Sequence, residues 1–272
     1  MKRFSFLLAM VVPFLGSSAH GQQVGLMDLP ATAPGQIVII GEVHDNPTHH
    51  VTQAELIARW RPAAVVFEML TPEQAKSVEA VDRKDQVAMA GALHWDGSGW
   101  PDYSLYHPVF AASGTARLYG AALPRTEVRR AMKEGAAAVF GPDSARFGLA
   151  TPLPQAEQSA READQLAAHC DALPANLLPG MVEAQRLRDA GFARTTLTAL
   201  HETGGPVVVI TGTGHADRLR GIPAALATAA PDVTVFSIGQ MEGAPGTAPP
   251  FDRWIITAPT PREDPCAAFA KP

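Results

Sequence analysis

Apolar and polar positions follow two rhythms along this chain. Unbroken apolar runs of four to six residues predict buried strands, and apolar residues three or four apart predict helix faces. Ile37-Val38-Ile39-Ile40 is the first such run, mostly β-branched, and Gly41 ends it. Asn46 suits a helix N-cap and Pro47 the first helical position. Val51, Ala54, Ile57 and Ala58 have helical spacing, so a helix to about Trp60 is expected to bury them. His50 shares that stripe and should point inward, whereas His49 reads as a solvated first-turn residue. After the break at Arg61-Pro62, residues 63–67 predict a second buried strand that ends in Glu68. Thr71 and Gln74 form a capping box for the next helix.

Residues 82–100 alternate short helical pieces with glycine. A helix is expected to start near Pro101 or Asp102, with Tyr103, Tyr106 and Phe110 on one face. Residues 116–123 predict a third strand, and a helix follows from Pro124-Arg125-Thr126 to about Val139. Two long helices are expected at 155–170 and 179–201. Residues 206–211 are the clearest later strand, closed by Gly212-Thr213-Gly214-His215, with a helix beginning near Asp217. A fifth strand is expected at 233–238 and a sixth, on an edge, at 253–257, whereas 22–35 reads as a leader.

Strands alternating with helices imply an α/β fold. It should be a mostly parallel sheet flanked by helices on both faces. A single domain over 22–272 is expected, with a helical insertion at about 72–110 and 142–203. In a parallel sheet the ends carrying Glu42, His44, Glu68 and His215 would share one rim, where such folds bind ligands.

Composition adds compartment. Lys2-Arg3, the apolar stretch from Phe4 to Leu15 and the small residues before Gly21 have the pattern of a signal peptide over 1–21. The stretch is too short to anchor in a bilayer, and no cysteine stands near it for a lipid. A periplasmic or secreted, soluble protein is expected. Cys170 and Cys266 permit one disulfide there or two free thiols. The net charge of −5, with no basic run, argues against nucleic acid.

Glu42 and His44 stand two apart, on one face of extended chain. Such a pair can be a base with its orienter, a pair of metal ligands, or a capping network. Glu68 is a further acid at the rim or a partner for Arg125, and Asp45 a capping or supporting residue. The Gly-x-Gly-His turn lacks the third glycine, the lysine and the acidic ribose partner of nucleotide sites. Buried tyrosinate can ligate ferric haem, although Tyr103 and Tyr106 also suit plain helix packing.

The segments Gly41-Glu42-Val43-His44-Asp45-Asn46 with His49, His50 and Gln53, Val66-Phe67-Glu68-Met69, Leu105-Tyr106-His107-Pro108, Leu123-Pro124-Arg125 and Gly212-Thr213-Gly214-His215 resemble the ChaN-like haem-binding uptake family. That family shares a superfamily with TIKI proteases and erythromycin esterases. The resemblance, over roughly 36–240, implies haem handling in iron uptake, with Tyr106 as ligand to ferric iron and His215 assisting. Arg125 would meet a propionate by its charge. The implied partners are haem, a second copy of the chain, and an outer-membrane haem receptor or periplasmic uptake components. The alternative it implies is a hydrolase, peptidase or esterase, built on Glu42, His44, Glu68 and His215. A divalent metal would then fall to Glu42, His44, His50, Glu68 and His215. A third possibility is an envelope protein whose rim residues are vestigial.

Overall fold

The computed structural model describes residues 21–264 and 266–267. The expected signal peptide, apart from Gly21, lies outside the described residues. The strands are β1 (Gln22–Gln23), β2 (Ile37–Glu42), β3 (Ala64–Phe67), β4 (Arg117–Gly120), β5 (Val207–Gly212), β6 (Val235–Glu242) and β7 (Arg253–Thr257). The helices are α1 (Pro47–Trp60), α2 (Pro72–Ser77), α3 (Gln86–Ala92), α4 (Tyr103–Ala112), α5 (Arg125–Glu134), α6 (Ala136–Phe140), α7 (Gln155–Ala168), α8 (Leu178–Thr203) and α9 (Ile222–Ala229).

Among the described residues seven strands pair in parallel, in the order β1-β7-β6-β2-β5-β3-β4. Successive side chains on a strand face opposite ways, and β2 shows this directly. Val38 and Ile40 join the apolar layer under α1 and α4. Ile37 and Ile39 join the layer under α5, α8 and α9. Helices on both faces explain why the central strands read as unbroken apolar runs. In β2 and β5 the register pairs Glu42 with Gly212, so these neighbours end level. β3 lies on the other side of β5 and ends with Phe67 beside Ile210.

The N-cap at Asn46, the capping box at Thr71 and the cap at Asp102 form as expected. Several details differ, among them the helix expected to run to about Val139, which breaks at Gly135 into α5 and α6. Val51 and Ala58 face solvent; α1 buries the expected His50 and Ile57 together with His49, Gln53, Leu56 and Trp60. Two histidines and a glutamine occupy the inner face because buried polar partners await them there, which apolar spacing does not register. β7 is not an edge strand: Gln22 and Gln23, expected to be leader, pair with Arg253 and Trp254 outside it. The residues from Thr213 to Ala216 form a 3-10 turn, so the following helix starts at Ile222 and not near Asp217.

Cys170 and Cys266 are bonded, with Cα atoms 5.3 Å apart. The bond ties the end of α7 to the C-terminal tail. Arg262 of that tail forms ion pairs with Asp45 and Glu242, which secures the tail over the turn between β2 and α1. Among the described residues no helix is long and apolar enough to cross a membrane.

Candidate functional site at the carboxyl rim of the sheet

Level strand ends bring two acid–imidazole pairs to the rim. The first is built at the end of β2. Glu42 is buried, and its Oε1 accepts from the Tyr106 hydroxyl at 2.9 Å and from His44 Nδ1 at 2.9 Å. Its Oε2 accepts from Gln53 Nε2 of α1 at 2.6 Å. His50 donates from Nε2 to the His44 carbonyl at 2.9 Å, with Nδ1 3.5 Å from Glu42. Nδ1 of His44 is committed to Glu42, so Nε2 is its free nitrogen. The His44 side chain is 36% exposed, with Trp100 edge-on to it at 4.9 Å.

Two glycines make room for this. A Cβ at Gly41 would lie 2.8 Å from Thr213 Cα, so only glycine lets the turn after β5 close on β2. A Cβ at Gly212 would lie 3.0 Å from His44 Nε2.

The second pair is built between β3 and β5. Glu68 Oε2 accepts from Thr211 Oγ1 and from the Gly212 amide, each at 2.7 Å. Its Oε1 lies 3.5 Å from His215 Nε2. On the far side of the ring, His215 Nδ1 donates to Asp189 of α8 at 2.6 Å. Phe192 meets the His215 ring edge-on at 4.9 Å.

The electrostatics follow from this bonding. Burial disfavours a charged His215, but Glu68 and Asp189 outweigh it and push the imidazole up to about 10. Burial works against the Glu68 carboxylate too, yet His215, His44 and the Gly212 amide hold its pKa far below the usual range. Burial raises Asp189 in spite of His215. The two acids flanking one imidazolium are thereby pushed apart, Glu68 ionised and Asp189 the easier to protonate. For His44, burial is again opposed, and the bond to Glu42 with the charge of Glu68 raises its pKa. Burial and the Glu42 charge raise Tyr106, which keeps the phenol neutral and donating.

A cleft of about 750 Å³ opens on these groups, lined by Glu42, His44, Glu68, Asp189 and the turn from Gly212 to His215. Its outer wall is α7 with Arg220, and Glu157 and Asp164 neutralise its two arginines, Arg161 and Arg220. A second cleft of about 610 Å³ shares Glu68 and His215 with the first. Met69, Trp100, Leu123 and Phe192 make its apolar wall, with Arg125 and Arg188 beside them.

The chain matches the family of haem-binding uptake proteins, Tiki superfamily, ChaN, over residues 29–226. The chain belongs to that family. Comparison with curated proteins gives no match. Among solved structures, this ChaN-family chain is similar to that in the structure of cofacial heme binding to ChaN of Campylobacter jejuni, with a TM-score of 0.60 and 19% identity over 80% of this chain and 86% of that one. At that identity the likeness shows a shared fold. The type III effector HopBA1 follows with a TM-score of 0.48 and 10% identity, over 83% of this chain and 88% of that one. An erythromycin esterase mutant in its open conformation gives 0.41 and 14%, over 80% and 75%.

Within this ChaN-family fold, Glu42, His44, Glu68 and His215 lie together in one cleft. Arg125 lies in the adjoining one, bonded to the Ser98 carbonyl at 3.1 Å and not to Glu68. Tyr106 lines neither cleft. Its ring is fully buried and its hydroxyl is spent on Glu42. His50 is equally buried and faces the protein interior. Of the five expected metal donors, Glu42, His44, His50, Glu68 and His215, each has a neighbouring polar group within 3.5 Å. Among the described residues no group of three or more His, Cys, Asp or Glu side chains is arranged to hold a metal ion.

His49 is not solvated but buried. Its Nδ1 accepts from the Val43 amide and its Nε2 meets Thr257 Oγ1, each at 2.9 Å, and burial lowers its pKa to about 4. Asp189 and Arg188 were missing from the expected site. Asp189 did leave a signal: it is an acid on the apolar stripe of α8 that also carries Val182, Ala190 and Ala193.

Proposed function

We propose that this ChaN-family protein binds haem in the double cleft along the sheet rim, with His44 as the donor to ferric iron. The observation that carries the reading is the His44 imidazole, its Nδ1 held by buried Glu42 and its Nε2 left for the cleft. A metal-binding histidine is characteristically oriented through its other ring nitrogen by such a carboxylate. The clefts fall in the size range of small-molecule and cofactor sites and combine an apolar wall with cationic side chains. Haem bound there would supply an electrophilic iron, and the protein supplies its donor, its apolar wall and cations for its propionates.

In this reading Tyr106 is a positioning residue. Its neutral phenol donates to Glu42, which in turn orients His44. His215, with its ring nitrogens facing Glu68 and Asp189, contributes positive charge to the cleft and not a lone pair. Export to the periplasm and a role in iron uptake accord with the family and with a disulfide, which persists in oxidising compartments. Pairing of two copies around haem, with a receptor or uptake component as partner, belongs to the same proposal.

A haemin titration followed in the Soret region tests it. Wild type should saturate, and His44→Ala should weaken binding by roughly ten- to a hundredfold or more. Tyr106→Phe should keep a ligand spectrum of the wild-type kind. Loss of that spectrum in Tyr106→Phe, with His44→Ala unaffected, would transfer the iron to the tyrosine.

One observation favours a second reading, hydrolysis. A carboxylate-bound imidazole with a free Nε2, facing a second acid–imidazole pair across a cleft, is a general-base arrangement. Turnover of ester or peptide substrates by haem-free protein, abolished in His44→Ala, would establish it. No His44-dependent turnover would remove it.

A further inference from the structure

The two clefts differ in charge compensation. In the cleft under α7, Arg220 is bound to Glu157 and Asp164, and Arg161 to Glu157. Beside α5, Arg125 and Arg188 line the cleft, and neither forms an ion pair with any described residue. Glu68, the acid in that cleft, is already taken by Thr211, the Gly212 amide and His215. The first turn of α5 forms part of the same wall and has no side-chain cap; its one acid, Glu127, is not among the residues that line the cleft. The rings of Trp100 and Phe192 and the side chain of Leu123 line it too.

Two arginines without an ion-pair partner among the described residues, in a cleft with an apolar wall, suit a ligand with an apolar body and carboxylates. We propose that the α5 side of the rim is a carboxylate-recognition subsite for an amphipathic ligand, with Arg188 and Arg125 as receptors. The ligand then lies in one sense only, its acids toward α5 and its remainder over the Glu68–His215 ridge toward His44. That the ligand is a porphyrin with two propionates rests on the haem reading; the subsite itself rests on the arginines.

Binding of haemin, of its dimethyl ester and of laurate to wild type, Arg188→Gln and Arg125→Gln separates the two. Arg130→Gln, whose partner Glu134 lies on the surface of α5, serves as the control, and circular dichroism checks folding. Wild type should prefer haemin to the ester by roughly tenfold. Each cleft variant should lose most of that preference while binding the ester as wild type does. Equal binding of haemin and ester by wild type, or cleft variants that retain the preference, would overturn the subsite and leave the haem reading intact. Laurate binding that depends on Arg188, in a protein that ignores haemin, would uphold the subsite and remove the haem reading. A protein that binds none of the three would remove both.

Discussion

At the scale of single residues the site is a pair of charge arguments. His215 and Glu68 depend on each other, and the sign of each shift fixes where stability is lost. A histidine raised to about 10 contributes fully below its unfolded value of about 6.5 and progressively loses that contribution as pH rises through 10. A depressed carboxylate contributes above its unfolded value and loses the contribution as pH falls. The stability difference between wild type and His215→Gln should therefore peak near pH 5 to 6, on the order of 3 kcal/mol, and shrink toward pH 10. Denaturant unfolding across that range measures it, and a difference that grows with pH would refute the charge assignment. Glu42, His44, Glu68 and His215 were legible from sequence because each stands at the end of an apolar run. Asp189 shows in the sequence only as an acid on an apolar stripe of α8, and no local pattern says which strand end that helix will cover.

At the scale of elements, strands were read more securely than the registration of helices. β2 and β5 announce themselves by unbroken β-branched runs between glycine and proline. Apolar spacing misplaces part of the inner face of α1 because Gln53 and His49 are buried for their hydrogen bonds, which hydropathy counts against burial. The helix most exposed to disturbance is α7, which has no fully buried side chain yet walls the cleft. The Cys170–Cys266 bond, closing a loop of 96 residues, limits the unfolded chain by about 4–5 kcal/mol on the entropic account. Reduction should accelerate hydrogen exchange in residues 155–168 well before the central strands respond. Equal protection with and without reductant would show that α7 needs no tie to the tail.

At the scale of the molecule, seven parallel strands give the fold a single chemical end. Parallel pairing carries β2, β5 and β3 to one rim, and helices on both faces leave that rim as the place where polar side chains meet a cleft. The overall architecture was therefore legible, whereas the edge pairing of Gln22 and Gln23 was not, two polar residues giving no apolar signal. In the proposed haem site His44, steadied by Glu42 and Tyr106, presents the donor to that cleft. A crystal structure of the haemin-loaded protein tests it most directly. Iron should be bonded to His44 Nε2 with Tyr106 still on Glu42; iron bonded to the Tyr106 oxygen, or haem bound away from the rim, would contradict the proposed site.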